Sequence, residues 1–232
     1  MEGCRSRYPN IICQGNVKLS RYLVFISLWG AWCFLHSLLI TPAVIGFVRK
    51  RFKKAYRYYR IFYNVIALAT LIPILVYSSS IQWLPVFRWE GPFQIVQGLL
   101  VISALLFFIG GSRRYDLSQF LGIRQVRENS ACILLSDDCR LDTGGILGMV
   151  RHPWYAGGVL IVWARDMDMA TILTNLVITG YFIIGAFLEE RKLLVEFGEE
   201  YIDYQRRVSM LFPFKFLRQK LRCERDQSLN RK

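Results

Sequence analysis

The sequence predicts an all-α integral membrane protein of about five transmembrane helices, with a C-terminal helical hairpin and an interfacial cytoplasmic helix. Three observations carry this. Four long runs contain no Asp, Glu, Lys or Arg: Tyr22 to Val48, Ile61 to Phe87, Gly91 to Ser112 and Met169 to Leu188. An uncharged apolar run of roughly 18 residues or more reads as a spanning helix. A shorter charge-free stretch of 13 residues, His152 to Ala164, leads through Arg165, Asp166 and Asp168 into the fourth run, so Pro153 to Leu188 reads as a hairpin with a polar tip. Finally, the basic residues gather between and after the runs, as loops flanking spans do. Four such runs in a chain that is 53% apolar weigh against a soluble core.

Taken in order, Met1 to Ser20 is a tail without an apolar stretch of its own, so no cleavable signal peptide is expected. Pro42 kinks the cytoplasmic end of the first helix. The second and third helices are joined by a short loop around Arg88 and Pro92, with Trp83 and Trp89 as interfacial anchors. Arg113 to Arg151 is the longest polar stretch between spans. Its first part, YDLSQFLGIRQV, suits an interfacial amphipathic helix, and its second, SDDCRLDTGG, is turn chemistry in which Gly144 and Gly145 permit conformations other residues avoid. From Glu189 onward, Leu193, Phe197, Tyr201 and Tyr204 recur at helical spacing with charges between them, which predicts a helix along the cytoplasmic interface, bent at Gly198. The last ten residues read as a frayed polar tail. The chain thus divides into a tail (1–20), three helices (21–112), a region that carries the chemistry and the hairpin (113–213), and a basic C-terminal tail (214–232).

The net charge of +13 is unevenly placed. Arg49 to Arg60, Arg113 to Arg151 and Glu189 to Lys232 together hold 24 Lys and Arg, against 6 in the remaining segments. With five crossings these sets fall on opposite sides, and the positive-inside rule puts the N-terminus outside and the C-terminus in the cytoplasm. Orientation and anionic lipid headgroups account for the charge, so nucleic acid is not an expected partner. The six cysteines form no CxxC pair, and the two histidines are too few for a zinc site, so no metal centre is expected.

The residues that suggest chemistry sit at the two ends of the hairpin. Arg151, His152, Pro153 and Tyr155 open it; Glu189 and Glu190 close it. Both ends then meet on the cytoplasmic side. A helix start offers unpaired N–H groups and partial positive charge to a carboxylate, and glutamates can accept from an ammonium or from hydroxyls. Trp154 and Tyr155 offer aromatic faces to a cation. These are groups that S-adenosylmethionine presents, although spacing alone does not single it out. His36, in an uncharged span where ionisable side chains are costly, is read either as an interhelical hydrogen-bonded histidine or as a further functional position.

The stretch VRHPWYAGG followed by FLEERKLLVEFGEEYIDYQRRVSMLFPF is similar to the RHPxYxG and EE…FGxxYxxYxxxV…P pattern of the isoprenylcysteine carboxyl methyltransferase and phospholipid methyltransferase superfamily. HSLLITPAVIGFV, YRYYRIFYNVIALATLIPI and YDLSQFLGIRQV resemble the branch that includes methanethiol S-methyltransferase and the NnrU-like membrane proteins. The resemblance implies S-adenosylmethionine as cofactor, with His152, Pro153, Trp154, Tyr155 and Glu189 touching it. Glu190 and Arg151 are secondary candidates, and Leu147 with the Cys139 to Asp142 stretch would line the adenosine pocket. Carboxyl methyltransferases of prenylated cysteine carry an Arg four residues before the first Glu; here Gly185 stands there. A substrate carboxylate would lose its bidentate partner, so a small thiol such as methanethiol is the expected acceptor. Tyr155 and His36 are the candidates for catalytic proton handling. The alternatives are a lipid-linked acceptor, either an isoprenylcysteine or an amino-phospholipid, or a non-catalytic protein that keeps the fold.

Overall fold

The computed structural model describes residues 10–80, 85–115, 117–128 and 141–229, with backbone alone at 10–18, 119, 128 and 226–229. Ten α-helices are present among these residues: α1 (Asn10–Leu39), α2 (Pro42–Arg51), α3 (Tyr59–Ser79), α4 (Phe93–Ser112), α5 (Leu117–Leu121), α6 (Ile123–Glu128), α7 (Pro153–Trp163), α8 (Met169–Phe197), α9 (Glu199–Arg207) and α10 (Phe214–Leu229). Two short strands, β1 (Pro85–Phe87) and β2 (Met167–Asp168), pair antiparallel. Trp83, Cys132 and Cys139 lie outside the described residues.

Among the described residues, four helical segments are long and apolar enough to cross a membrane: Leu19–Leu39, Tyr56–Ser79, Phe93–Ser112 and Met169–Phe197. The first uncharged run is not one helix. α1 stops at Leu39, and Thr41 takes an extended conformation (φ −67°, ψ 144°) as the N-cap of α2, with Pro42 as its first residue. A proline disfavours helical geometry in the residue before it, and its missing N–H costs nothing at a helix start. The Thr41 hydroxyl donates to the Leu38 carbonyl at 2.8 Å and accepts from the Val44 N–H at 3.4 Å. Pro42 therefore separates two helices instead of kinking one.

Two further boundaries differ from the sequence reading. α3 ends at Ser79, and the remainder of the second run contributes β1. The amphipathic segment beginning at Glu189 is not an independent helix, because α8 continues unbroken to Phe197. Gly198, at φ +52°, then turns the chain into α9, and this positive φ is what a glycine allows cheaply. The C-terminal tail is also more ordered than expected, with α10 running from Phe214 to Leu229.

With 11 residues, α7 is too short to be counted as a span by itself, yet it lies along α4 in the opposite direction. At one end Gly111 faces the Trp154 indole so closely that an added Cβ would come within 2.5 Å of it. At the other end Gln97 donates to the Ala164 carbonyl at 2.9 Å, and Trp89 donates to the Arg165 carbonyl through its indole and to the Asp166 carboxylate through its backbone, each at 3.0 Å. The α7–β2 segment therefore covers the length of α4, from its last turn to the loop before it. Trp89 anchors this loop to the polar tip.

Three apolar clusters result. Phe25, Trp29, Ile74 and Ala170 join α1, α3 and α8. Phe107, Val150, Ala156 and Leu211 join α4, α7 and the segment before α10. Leu193, Tyr201, Tyr204 and Val208 fasten α9 to the end of α8. Many other apolar side chains on α1, α3, α4 and α8 face outward, among them Leu68, Ile95, Leu106 and Ile184, each at least 60% exposed. That is the surface of a bundle whose solvent is lipid.

Candidate functional site

The start of α7 and the last turns of α8 meet. The Arg151 and His152 N–H groups donate to the Ser209 and Met210 carbonyls at 2.9 and 3.0 Å, so the residues before α7 are stitched to the strand-like segment after α9. His152 is the N-cap residue of α7, Pro153 opens it, and Tyr155 follows within the first turn. Pro153 is fully buried and Trp154 donates to the Phe108 carbonyl at 3.3 Å, with Tyr115 and Phe120 edge-on to its indole. Trp154 thus packs on α4 and α5, away from the two glutamates.

The paired glutamates have different surroundings. Glu190 is buried, and its Oε1 accepts from Arg151 Nε at 2.8 Å, Arg151 Nη2 at 2.7 Å and His152 Nε2 at 3.1 Å. Its Oε2 accepts from Gln205 Nε2 at 2.7 Å. A carboxylate has about four lone-pair positions, so Glu190 is satisfied internally. Arg151 is similarly engaged, since its Nη1 also donates to the Gln205 and Val208 carbonyls. These four side chains form a rigid polar frame between α7, α8 and α9.

Glu189 is the open member of the pair, with its side chain 41% exposed. Its Oε2 accepts from the Tyr155 hydroxyl at 3.1 Å and lies 3.7 Å from His152 Nδ1. Behind it, the rings of His152, Tyr155 and Phe182 form a column, with centroids 5.5 and 5.2 Å apart and interplanar angles of 11° and 8°. Gly185 borders this column: a Cβ there would stop 3.9 Å from the Tyr155 hydroxyl. Here are a carboxylate with free lone pairs, a phenol oriented by it, and a stack of aromatic faces.

The segment before α7 closes another side. Leu147 is buried, and its carbonyl accepts from the Tyr204 hydroxyl at 2.7 Å. Asp142 Oδ1 accepts from the Gly144 N–H at 2.8 Å, while Oδ2 pairs with Arg114 at 3.4 Å. Gly145, at φ +55°, brings its backbone so near the Arg114 guanidinium that a Cβ would fall 2.8 Å from Nη2. Burial pushes the Tyr204 phenol well above the usual tyrosine range despite the opposing Arg151 charge, so it stays a donor.

One contributor went unnoticed in the sequence, and a second, Tyr201, was assigned there to helix packing alone. Gln205 completes the Glu190 shell, and its place one helical turn from Tyr201 on a buried face was a readable signal. Tyr201 is 1% exposed, and its hydroxyl has no hydrogen-bond partner among the described residues. Burial and the nearby Glu190 charge raise its phenol well above the usual range. An unpartnered buried hydroxyl beside two glutamates is a donor in want of an acceptor.

His36 belongs to a neighbouring group. On α1 it stacks on Trp32 (5.0 Å, 16°), its Nδ1 lies 2.9 Å from the Tyr63 hydroxyl, which also contacts Nε2, and it meets Tyr181 edge-on at 5.6 Å. Ser37 donates to the Tyr181 hydroxyl at 3.3 Å. Tyr181 and Gly185 are one turn apart on α8, so the His36 group and the Tyr155–Glu189 pair flank the same stretch of that helix. No group of three or more His, Cys, Asp or Glu suited to a metal ion occurs among the described residues.

No family model matches the chain, and no solved structure matches it. Curated proteins do. The chain is 44% identical over 66 residues to a methanethiol S-methyltransferase of Pseudomonas sp. (strain GM41(2012)), covering 28% of this chain and 25% of that protein. It is 42% identical over 77 residues to methanethiol S-methyltransferase 1 of Bradyrhizobium diazoefficiens, covering 33% and 27%. A methanethiol S-methyltransferase of Mycobacterium tuberculosis is 44% identical over 66 residues, covering 28% and 27%. The chain spans about a quarter of the length of the curated relatives it matches. Across that shared stretch, the chain is similar to the methanethiol S-methyltransferase branch of the membrane methyltransferases.

Proposed function

We propose that this chain is an integral membrane methyltransferase that moves the methyl group of S-adenosylmethionine to a small thiol such as methanethiol, giving a thioether and S-adenosylhomocysteine. The observation that carries the reading is the division of labour between adjacent glutamates: Glu190 is consumed by Arg151, His152 and Gln205, while Glu189 stands open beside Tyr155. The methyltransferase names of the relatives support the reaction class.

The residues fit the cofactor. Glu189 can accept from its ammonium or ribose hydroxyls, the Tyr201 hydroxyl is a donor without a partner among the described residues, and the His152–Tyr155–Phe182 column offers π faces to a sulfonium. When bound, the cofactor supplies an electrophilic methyl group. The chain's part is mostly positional, because bringing nucleophile and electrophile to about 3–3.5 Å removes much of the barrier.

Gly185 leaves the wall beside Tyr155 without a side chain, and no guanidinium is supplied from that position for a substrate carboxylate. This favours a small uncharged acceptor over a prenylcysteine. On the acceptor side, His36, held by Tyr63, is the group suited to take the thiol proton as the S–H bond breaks and the S–CH3 bond forms. His36→Ala is expected to lower turnover about 100-fold at pH 7, the lower end for a general base. The deficit should shrink as pH rises toward the thiol pKa, about 8.5 or higher, where the thiolate forms unaided. A defect equally large at every pH would remove His36 from proton transfer.

We further place the α7–β2 segment as a fifth crossing, with the glutamate pair and the C-terminus on the cytoplasmic side and the N-terminus outside. The 24-to-6 division of Lys and Arg supports that orientation. The direct test of the activity is to supply membranes containing the chain with methyl-labelled S-adenosylmethionine and methanethiol. Labelled dimethyl sulfide above an empty-vector control is expected. Its absence, or label passing into the lipid fraction instead, would overturn the thiol assignment.

A further inference from the structure

The C-terminal helix α10 carries a surface that the proposed chemistry does not use. Its sequence, FKFLRQKLRCERDQSL, holds five basic and two acidic residues. Phe214, Leu217 and Leu221 recur at i, i+3 and i+7, the spacing of one helical face, and they are 72%, 50% and 63% exposed. Beside them run Arg218, Arg222 and Arg225, and the six side chains together line a groove of about 450 Å³.

The other side of α10 is fastened to the protein. Lys215 donates through Nζ to the Gln205 and Arg206 carbonyls at 2.7 and 3.1 Å and through its backbone N–H to the Ser209 hydroxyl at 3.0 Å. Gln219 adds a bond to the Arg207 carbonyl at 3.4 Å. At about 100° per residue, Lys215 and Gln219 lie on the side away from Leu217 and Leu221. The apolar face is therefore turned away from α9, and the helix cannot roll to bury it without breaking these bonds.

The level of the helix can be read as well. Leu211, three residues before α10, is buried against Phe107 of α4 and Ala156 of α7. Phe107 is within two turns of the end of α4, so α10 leaves the bundle at the level where its spans end. A helix at that level, with an apolar face flanked by arginines, matches the boundary between acyl chains and headgroups.

We propose that α10 is a binding site for anionic phospholipid, with Phe214, Leu217 and Leu221 entering the acyl region and Arg218 and Arg222 holding headgroup phosphate. Charge complementarity selects the anionic lipid over a neutral one. The assignment stands apart from the methyl-transfer reading, because none of these residues belongs to that site.

The test is hydrogen–deuterium exchange of the full chain in nanodiscs of phosphatidylcholine, with or without a one-third share of phosphatidylglycerol. Amides of 214–225 should exchange at least about tenfold more slowly in the anionic discs, since two arginines near a charged surface are worth that much. Arg218→Gln with Arg222→Gln should return exchange to the neutral-lipid rate, and high salt should weaken the protection of the parent chain. Equal exchange in both lipids would overturn the proposal. So would protection in neutral discs by an added single-stranded oligonucleotide that matches the anionic-lipid effect, which would assign the groove to nucleic acid.

Discussion

Glu190→Ala is expected to destabilise the protein by about 3–5 kcal/mol, the cost of removing one member of a buried ion pair. The Arg151 and Glu190 side chains are only 9% and 6% exposed, so the guanidinium left behind would be buried without its counter-charge. His152 Nε2 and Gln205 Nε2 would lose their acceptor in the same step. Glu190→Gln keeps the size and one acceptor oxygen and should fall between the parent and the alanine variant. Replacing the pair together, Arg151→Met with Glu190→Leu, should recover much of the loss, because apolar replacement removes both desolvated charges. Chemical unfolding in detergent micelles measures all three. A Glu190→Ala loss below about 1 kcal/mol, the level of a surface pair, would show that the frame contributes no more than an exposed ion pair.

The neighbouring substitution should behave in the opposite way. Glu189→Gln is expected to leave stability within about 0.5 kcal/mol, as surface changes do, because the side chain is 41% exposed and its contacts are Tyr155 and a distant His152 nitrogen. Affinity for S-adenosylmethionine should fall by about 10- to 100-fold, matching the roughly 1.5–3 kcal/mol of a hydrogen bond to a charged group. Titration calorimetry on the purified chain reads the affinity, and the unfolding experiment reads the stability. Unchanged affinity would remove Glu189 from the cofactor site. The contrast between two adjacent glutamates, one governing stability and the other binding, is a sharper test than either variant alone.

The spans were legible because lipid imposes a simple requirement: an unbroken run of uncharged residues long enough to cross it. α4 follows its run from Phe93 to Ser112 closely. The ends were less legible. Hydropathy does not register where a backbone stops being helical, and Thr41–Pro42 stopped α1 inside an uncharged run through local sterics. At the other extreme, charge does not end a helix, and α8 runs on through Glu189 and Glu190 to Phe197, nine residues beyond the apolar stretch.

The site followed the same division. The pairing of the His152–Tyr155 segment with the two glutamates was legible from the expected return of the chain after Arg165 and from the resemblance. Which glutamate faces the frame was not. Neighbouring helical residues point about 100° apart, and the rotation of α8 against α7 and α9 decides which one meets Arg151. Gln205 and Tyr201 entered only through the return of α9 over the end of α8, which depends on the turn at Gly198.

What the sequence by itself determined is therefore the solvent of this protein, the number and order of its long apolar segments, and the residue types gathered just before α7 and near the end of α8. Those properties are written in hydropathy, charge and spacing along one chain. The tertiary structure alone decided that Glu190 is buried in an ion-paired frame while Glu189 remains open, that His36 faces Tyr63 and Tyr181, and that α10 turns an apolar face away from the protein. Each of these depends on how one helix is rotated against another, and that rotation is set by packing between residues far apart in the chain.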